Sequence, residues 1–305
     1  YEVHGILKRN SVSENQTARL DDVFDKLNLY YGDLEDLSSL IHILQKVQPE
    51  EVYNLAAQSH VRISFDVPIY TACATGLGVL NMFEACRIAC PDAKIYQASS
   101  SEMFGNCIDD DGFQRETTPM QPVSPYGCAK VFAYNIGRNY RHSYNMFISN
   151  GILFNHESPR RGSNFVTNKV VKGACAIKMG EKDKLALGNL NASRDWGHAK
   201  DYVEAMWMML QQEESDDFVC ATGVSHTVRD LCEYTFKVLD MDYKDYIMTD
   251  EKYLRPEELE DLKGDSTKLR EKLGWEPRYS FEIMINEMIE HELWYGYGVS
   301  LEDII

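Results

Sequence analysis

The alternation of two hydrophobic periodicities through the first half of this chain limits its fold more than any other feature. Tyr1 to Leu7 (YEVHGIL) reads as a strand, Leu34 to Val47 carries Leu37, Leu40, Ile41 and Leu44 at helical spacing, and Glu51 to Ala57 (EVYNLAA) reads as a second strand. A long helix follows, with Cys73, Leu77, Leu80 and Phe83 on one face, then a strand at Lys94 to Ala98 and a loop rich in Asp, Thr and Pro from Asn106 to Pro125. A helix from about Tyr126 to Ser143 and a strand from Met146 to Leu153 complete this half. Strands apolar enough to be covered on both faces, alternating with helices, predict an α/β fold with a parallel, doubly wound sheet. Ligands of such a sheet bind beyond the carboxyl ends of its strands.

The second half is less regular. Asn155 to Asn168 is polar and Arg-rich, Tyr202 to Gln212 and Val228 to Leu239 read as helices, Phe218 to Ala221 as a short strand, and Glu251 to Asp261 is strongly acidic. Neither an internal repeat nor a low-complexity linker is visible, so a smaller second lobe is expected to pack on the first. No run approaches about 18 uninterrupted apolar residues, so no transmembrane helix is expected. No signal peptide is recognised, although the chain opens at Tyr1 rather than at a methionine. With 48 acidic against 31 basic residues the formal charge is −17, which disfavours nucleic acid and anionic membranes as partners. The eight cysteines, at 73, 86, 90, 107, 128, 175, 220 and 232, include no CxxC pair. They read as small buried residues of a reducing, cytoplasmic compartment, and no metal is expected.

Against this background a few polar residues stand out. In Tyr126-Gly-Cys-Ala-Lys130 the phenol and the ammonium are four residues apart, on one face of the expected helix. A nearby cation stabilises phenolate and draws a tyrosine toward the working range of a general base; the plain alternative is a surface pair. Glu102 lies in QASSSEMFG, where the strand ending near Ala98 gives way to a loop; from this stretch alone a solvated loop is the plain reading of its charge, and a functional carboxylate is the alternative. The basic run Lys8-Arg9 follows the first strand, where a cation accepts the extra phosphate of NADP in dinucleotide-binding folds. The glycine-rich turn of such folds is expected before the Tyr1 strand, and Gly76 and Gly78 do not replace it.

A resemblance connects these features. YEVHGI, YGDLED (31 to 36), VYNLAAQSHVRISF (52 to 65), YQASSSEMFG, SPYGCAK, NGILFNHESPRRG (150 to 162), SRDWGHAKDYVEAMWMMLQQ (193 to 212) and LRPEE (254 to 258) resemble, in order, the motifs of the GDP-mannose 4,6-dehydratases. That family belongs to the extended short-chain dehydrogenase/reductase superfamily, and the resemblance runs through nearly the whole chain. It implies a Rossmann-type sheet domain, at 1–153 and 195–222, that binds NADP. It also implies a smaller mixed α/β lobe, at 154–194 and 223–305, that binds the GDP-sugar. The implied reaction takes hydride from C4 of GDP-mannose, eliminates water across C5 and C6, and returns the hydride to C6, giving GDP-4-keto-6-deoxy-mannose on the way to sugars such as GDP-fucose. A homodimer or homotetramer is also implied.

By the same resemblance Tyr126 is the catalytic base for the 4-hydroxyl, Lys130 its partner and a ligand of the nicotinamide ribose, and Glu102 the acid/base at C5. Ser100 stands where the family has a catalytic threonine. The cofactor would meet Lys8, Arg9, Asp33, Leu34, Leu55, Ala56, Ala57, Ser59, Tyr70, His156 and Arg161. The GDP-sugar would meet Asn155, Lys169, Arg194, Arg255 and Glu258, arginines being suited to bidentate contact with a diphosphate. Further departures are that Lys8 replaces the first of two arginines, that Val12 to Arg19 lacks the family's usual serine-rich form, and that Met241 to Lys252 is shorter than the family's equivalent. Two rival functions remain. A nucleotide-sugar epimerase shares the Tyr/Lys pair but usually lacks the carboxylate at Glu102, and a catalytically silent nucleotide-sugar or NADP sensor has no need of Ser100, Glu102, Tyr126 and Lys130 together.

Overall fold

The computed structural model describes residues 1–8, 18–253, 257 and 259–304. These divide into two compact units: residues 1–99, 125–150 and 209–216, and residues 100–124, 151–208 and 217–305. Relative to the expected boundaries, 100–124, 151–153, 195–208 and 217–222 group with the second unit.

In the first unit β1 (Val3–Leu7) pairs in parallel with β2 (Leu27–Tyr31), so that Leu7 lies opposite Tyr31. The β2 strand was not legible as one, because LNLYY follows the polar, helix-like segment Ala18–Lys26. Helix α1 (Leu37–Val47) starts where the Asp36 carboxylate accepts from the Ser38 and Ser39 amides, a cap that satisfies two otherwise orphaned donors. It buries Leu40, Ile43 and Leu44, and it ends at Gln48, whose φ of 48° is left-handed. A second sheet contains β3 (Glu51–Asn54), β4 (Lys94–Ser100) and β5 (Ile148–Leu153), with β3 and β4 parallel. β5 is buried along its whole length, as a strand covered on both faces must be.

The expected long helix is broken into α2 (Val61–Asp66), α3 (Pro68–Thr71), one wide π turn (Ala72–Leu77) and α4 (Gly78–Ala89). Gly78 is required here, since a Cβ would sit 2.7 Å from the Leu34 Cβ. Its absence lets the loop after β2 rest on α4. Helix α5 (Pro125–Tyr144) turns Tyr126, Ala129, Lys130, Ala133, Gly137 and Tyr140 inward at intervals of three and four, one stripe of an amphipathic helix. Leu40, Leu44, Val79, Phe83, Ile95, Ala133 and Ile148 form the core. The cysteines are all free thiols, mostly buried or half-buried as expected, with Cys128 exposed.

The second unit is a mixed α/β lobe. Its central strand β8 (Ser193–His198) pairs in parallel with β6 (Asn155–Glu157) and β12 (Asp261–Leu262), and antiparallel with β10 (Ser225–Thr227). β7 (Leu185–Leu187) pairs with β11 (Ile247–Thr249), and β9 (Asp217–Cys220) accompanies the chain after β5, with the Phe154 amide donating to the Cys220 carbonyl. Helices α6 (Val166–Lys178), α7 (Val228–Val238) and α8 (Phe281–Glu292) enclose a core of Val170, Ala174, Trp196, Leu231, Phe236 and Met284. Buried Asp195 ties strand ends together by accepting from the Thr222 amide and hydroxyl and from the Gly223 amide. Burial nonetheless raises its pKa.

Candidate active site

In the first unit the helical spacing of Tyr126 and Lys130 has its expected result. Both are buried, and the Lys130 ammonium lies 5.8 Å from the centre of the Tyr126 ring. Its Nζ donates to the Ala98 carbonyl at 2.6 Å, a partner at the carboxyl end of β4. Burial lowers the Lys130 pKa to about 8. A cation this poorly solvated stabilises a neighbouring phenolate more strongly than one in water.

A second polar group collects at the ends of β1 and β2. Because Leu7 and Tyr31 are in register, the chain that follows each strand emerges side by side. The Lys8 Nζ is 2.9 Å from Asp33 Oδ2 and 3.5 Å from Glu35 Oε2, and it donates to the Tyr70 hydroxyl at 3.3 Å. The hydrogen bond to Asp33 is the chief reason that the Lys8 pKa is raised. Leu34 is buried beside this group. Leu55, Ala56 and Ser59 are exposed and Ala57 half-buried, and the Gln58 amide fixes their stretch by donating to Thr75 Oγ1. Arg9 lies outside the described residues.

In the second unit Ser100 ends β4, and its hydroxyl accepts from the Glu102 amide at 3.2 Å. That cap starts a short turn in which Glu102 is 9% exposed, so the carboxylate questioned in the sequence is buried rather than solvated. His156 stacks on Tyr202 with ring centres 4.9 Å apart, and its Nδ1 is 2.8 Å from the Phe154 carbonyl. The carbonyl requires a proton on Nδ1, and burial lowers the pKa to about 4, so His156 is neutral and offers Nε2 as an acceptor. Arg161 holds buried Glu157 at 3.0 Å and lies over the Phe165 ring. Asn155 is half-buried in β6, opposite Trp196. Buried Arg194 donates to the Ser193 and Leu259 carbonyls. Lys169 donates to the Ala186 carbonyl at 2.7 Å beneath the Tyr253 ring, whose centre is 3.3 Å away. Arg255 and Glu258 lie outside the described residues.

Four contributors escaped the sequence reading: the Ala98 carbonyl, Glu35, Glu157 and Tyr253. Only Glu35 had a signal, as a carboxylate two residues beyond Asp33 in YGDLED. Glu157 meets Arg161 only four residues on, yet at the end of a strand where that spacing announces no pair, and the Ala98 carbonyl and Tyr253 act through contacts between segments that no local pattern records.

The chain matches the family model described as GDP-mannose 4,6 dehydratase over residues 1–288. It is also 48% identical to GDP-mannose 4,6 dehydratase 1 of Arabidopsis thaliana, over 96% of this chain and 83% of the relative. The chain belongs to the GDP-mannose 4,6-dehydratase family. The Homo sapiens member, GDP-mannose 4,6 dehydratase, is 45% identical over 96% of this chain and 85% of its own length. A more distant dTDP-glucose 4,6-dehydratase of Streptomyces venezuelae, solved with NAD and TYD bound, matches with a TM-score of 0.83 at 21% identity, over 95% of this chain and 87% of that one. That likeness supports the Rossmann-type α/β fold of the dehydratase family.

Proposed function

We propose that this chain dehydrates GDP-D-mannose to GDP-4-keto-6-deoxy-D-mannose with NADP as cofactor. The observation that carries the reading is the kinship with GDP-mannose 4,6-dehydratases over 96% of this chain. Support for the chemistry comes from Lys130, buried and donating to Ala98. Lys8, Arg9, Asp33, Leu34, Leu55 to Ala57, Ser59, Tyr70, Lys130, His156 and Arg161 are assigned to the cofactor. Asn155, Lys169, Arg194, Arg255 and Glu258 are assigned to the GDP-sugar. A homodimer or homotetramer in the cytoplasm is the proposed setting, and eight free thiols suit a reducing compartment.

When bound, the nicotinamide cofactor supplies uptake of hydride from C4 and its return at C6. Tyr126 takes the proton of the 4-hydroxyl, and the Lys130 cation stabilises the phenolate that makes this possible. Ser100 hydrogen-bonds the same hydroxyl. The resulting ketone acidifies the C5 hydrogen, and the Glu102 carboxylate removes that proton. The electron pair left at C5 forms the C5–C6 double bond as the 6-hydroxyl leaves as water, taking up the proton that Tyr126 accepted from the 4-hydroxyl. Glu102 then returns its proton to C5.

The test is incubation with GDP-mannose and NADP+, followed by the product's mass. Loss of one water supports the dehydratase, an epimerised sugar of unchanged mass supports the epimerase, and binding without turnover supports the sensor.

A further inference from the structure

In the second unit β6 and β8 run in parallel register, which sets His156 directly opposite Gly197. Tyr202 stands five residues beyond Gly197, in the helix Ala199–Leu210, and its ring lies against both. It stacks on the His156 imidazole with centres 4.9 Å apart and planes 21° from parallel, and a Cβ on Gly197 would stand 2.4 Å from the Tyr202 Cε2. The space that a side chain at 197 would fill is therefore taken by the tyrosine ring. That ring also meets the Trp275 indole edge-on, at 6.1 Å and 85°, and the indole is fixed by its hydrogen bond to the Asp201 carbonyl. Tyr202 is fully buried, and burial holds its phenol well above the ordinary pKa, so the ring carries no charge. Among the described residues its hydroxyl has no hydrogen-bond partner, which leaves the ring face as the part of the side chain that engages His156.

His156 needs two constraints to keep one orientation. The hydrogen bond between Nδ1 and the Phe154 carbonyl, at 2.8 Å, still lets the imidazole swing about the line joining the two atoms. A flat neighbour on its face removes that swing, and the Nε2 lone pair then points one way. We propose that Tyr202 is a positioning residue for the cofactor: seated in the gap left by Gly197, it fixes the plane of His156 and with it the direction in which Nε2 accepts a hydrogen bond from the nicotinamide end of NADP. This rests on the reading of His156 as a cofactor residue.

Dissociation constants of the full chain for NADP+ and for GDP-mannose are measured by titration calorimetry on the wild type, Tyr202→Leu, Tyr202→Phe, His156→Ala and the double variant that joins Tyr202→Leu to His156→Ala. Tyr202→Leu, which fills most of the space without a flat face, weakens NADP+ by about fivefold, the size of an aromatic stack, and leaves GDP-mannose within about twofold, which a general loosening of the lobe would not. Tyr202→Phe keeps the face and binds NADP+ within about twofold of the wild type. In the His156→Ala background Tyr202→Leu adds less than about twofold, because a residue that acts through His156 has nothing left to position. Single losses that multiply in the double variant, or a Tyr202→Leu protein that binds NADP+ like the wild type, overturn the proposal. A loss of about tenfold in Tyr202→Phe, a variant that does not depend on Tyr202→Leu being able to fold, would place the effect in the hydroxyl and overturn it as well. If His156→Ala binds NADP+ as the wild type does, the reading of His156 falls and the proposal with it; if His156→Ala weakens NADP+ while Tyr202→Leu does not, only the proposal falls.

Discussion

Replacing Lys130 with methionine should make the protein more stable at neutral pH while abolishing its catalysis. The side chain is 3% exposed, and its pKa drops from the ordinary 10.5 to about 8 because burial penalises the charge. At about 1.4 kcal/mol per pH unit, that drop corresponds to about 3 kcal/mol of folding free energy lost at pH 7. Methionine keeps the stem and removes the charge, but it forfeits the hydrogen bond to the Ala98 carbonyl, which costs about 1 kcal/mol. The net gain is about 2 kcal/mol, or about 4 °C in melting temperature for a chain of this size. The sign depends on pH. Unfolded chains keep the lysine proton up to about 10.5, whereas the folded state releases it near 8, so between these values the folded state binds fewer protons and wild-type stability rises with pH. Lys130→Met should therefore melt higher at pH 7, lose its advantage through pH 8 to 10, and melt slightly lower beyond that. Scanning calorimetry of both proteins at pH 7, 8.5 and 10 decides the matter. A wild type that is the more stable at pH 7, or a gap that does not change with pH, refutes the reasoning.

Glu102→Gln should leave oxidation at C4 possible, seen as absorbance of the reduced cofactor, while slowing water loss by at least about a hundredfold; dehydrated product at the wild-type rate removes the assigned role. Gly105→Ala should cost more than about 2 kcal/mol in urea unfolding, because φ is +60° and the new Cβ would stand 1.8 Å from the Gln121 carbonyl oxygen. A midpoint unchanged from wild type would mean that this loop yields without strain. Trp275→Phe should cost about 2 to 3 kcal/mol, since the buried indole donates to the Asp201 carbonyl at 2.8 Å and phenylalanine leaves both a void and an unmet acceptor. A loss under about 1 kcal/mol would show that the site collapses around the smaller ring.

Where one element dictates its own pattern, the sequence was readable. The helix expected from about Tyr126 and the strands expected from Lys94 and Met146 correspond to α5, β4 and β5, each starting within two residues of its expected place. Where geometry depends on a distant neighbour, reading stopped. The π turn at Ala72–Leu77 looks like ordinary helix in one dimension, and only the contact of Gly78 with Leu34 explains why a glycine follows it. The candidate site divides in the same way. Tyr126 with Lys130, and Ser100 with Glu102, are close in sequence and their local geometry follows from helix and turn rules. That Lys8 meets Glu35 and Tyr70 depends on strand pairing and on a helix over sixty residues away. Substrate identity came from kinship, since GDP-mannose leaves no signature in hydrophobic period.

Cys128, the one exposed thiol among the eight, stands on α5 between Tyr126 and Lys130, so a bulky thiol reagent should reach the helix that carries both more readily than it reaches any of the other seven cysteines.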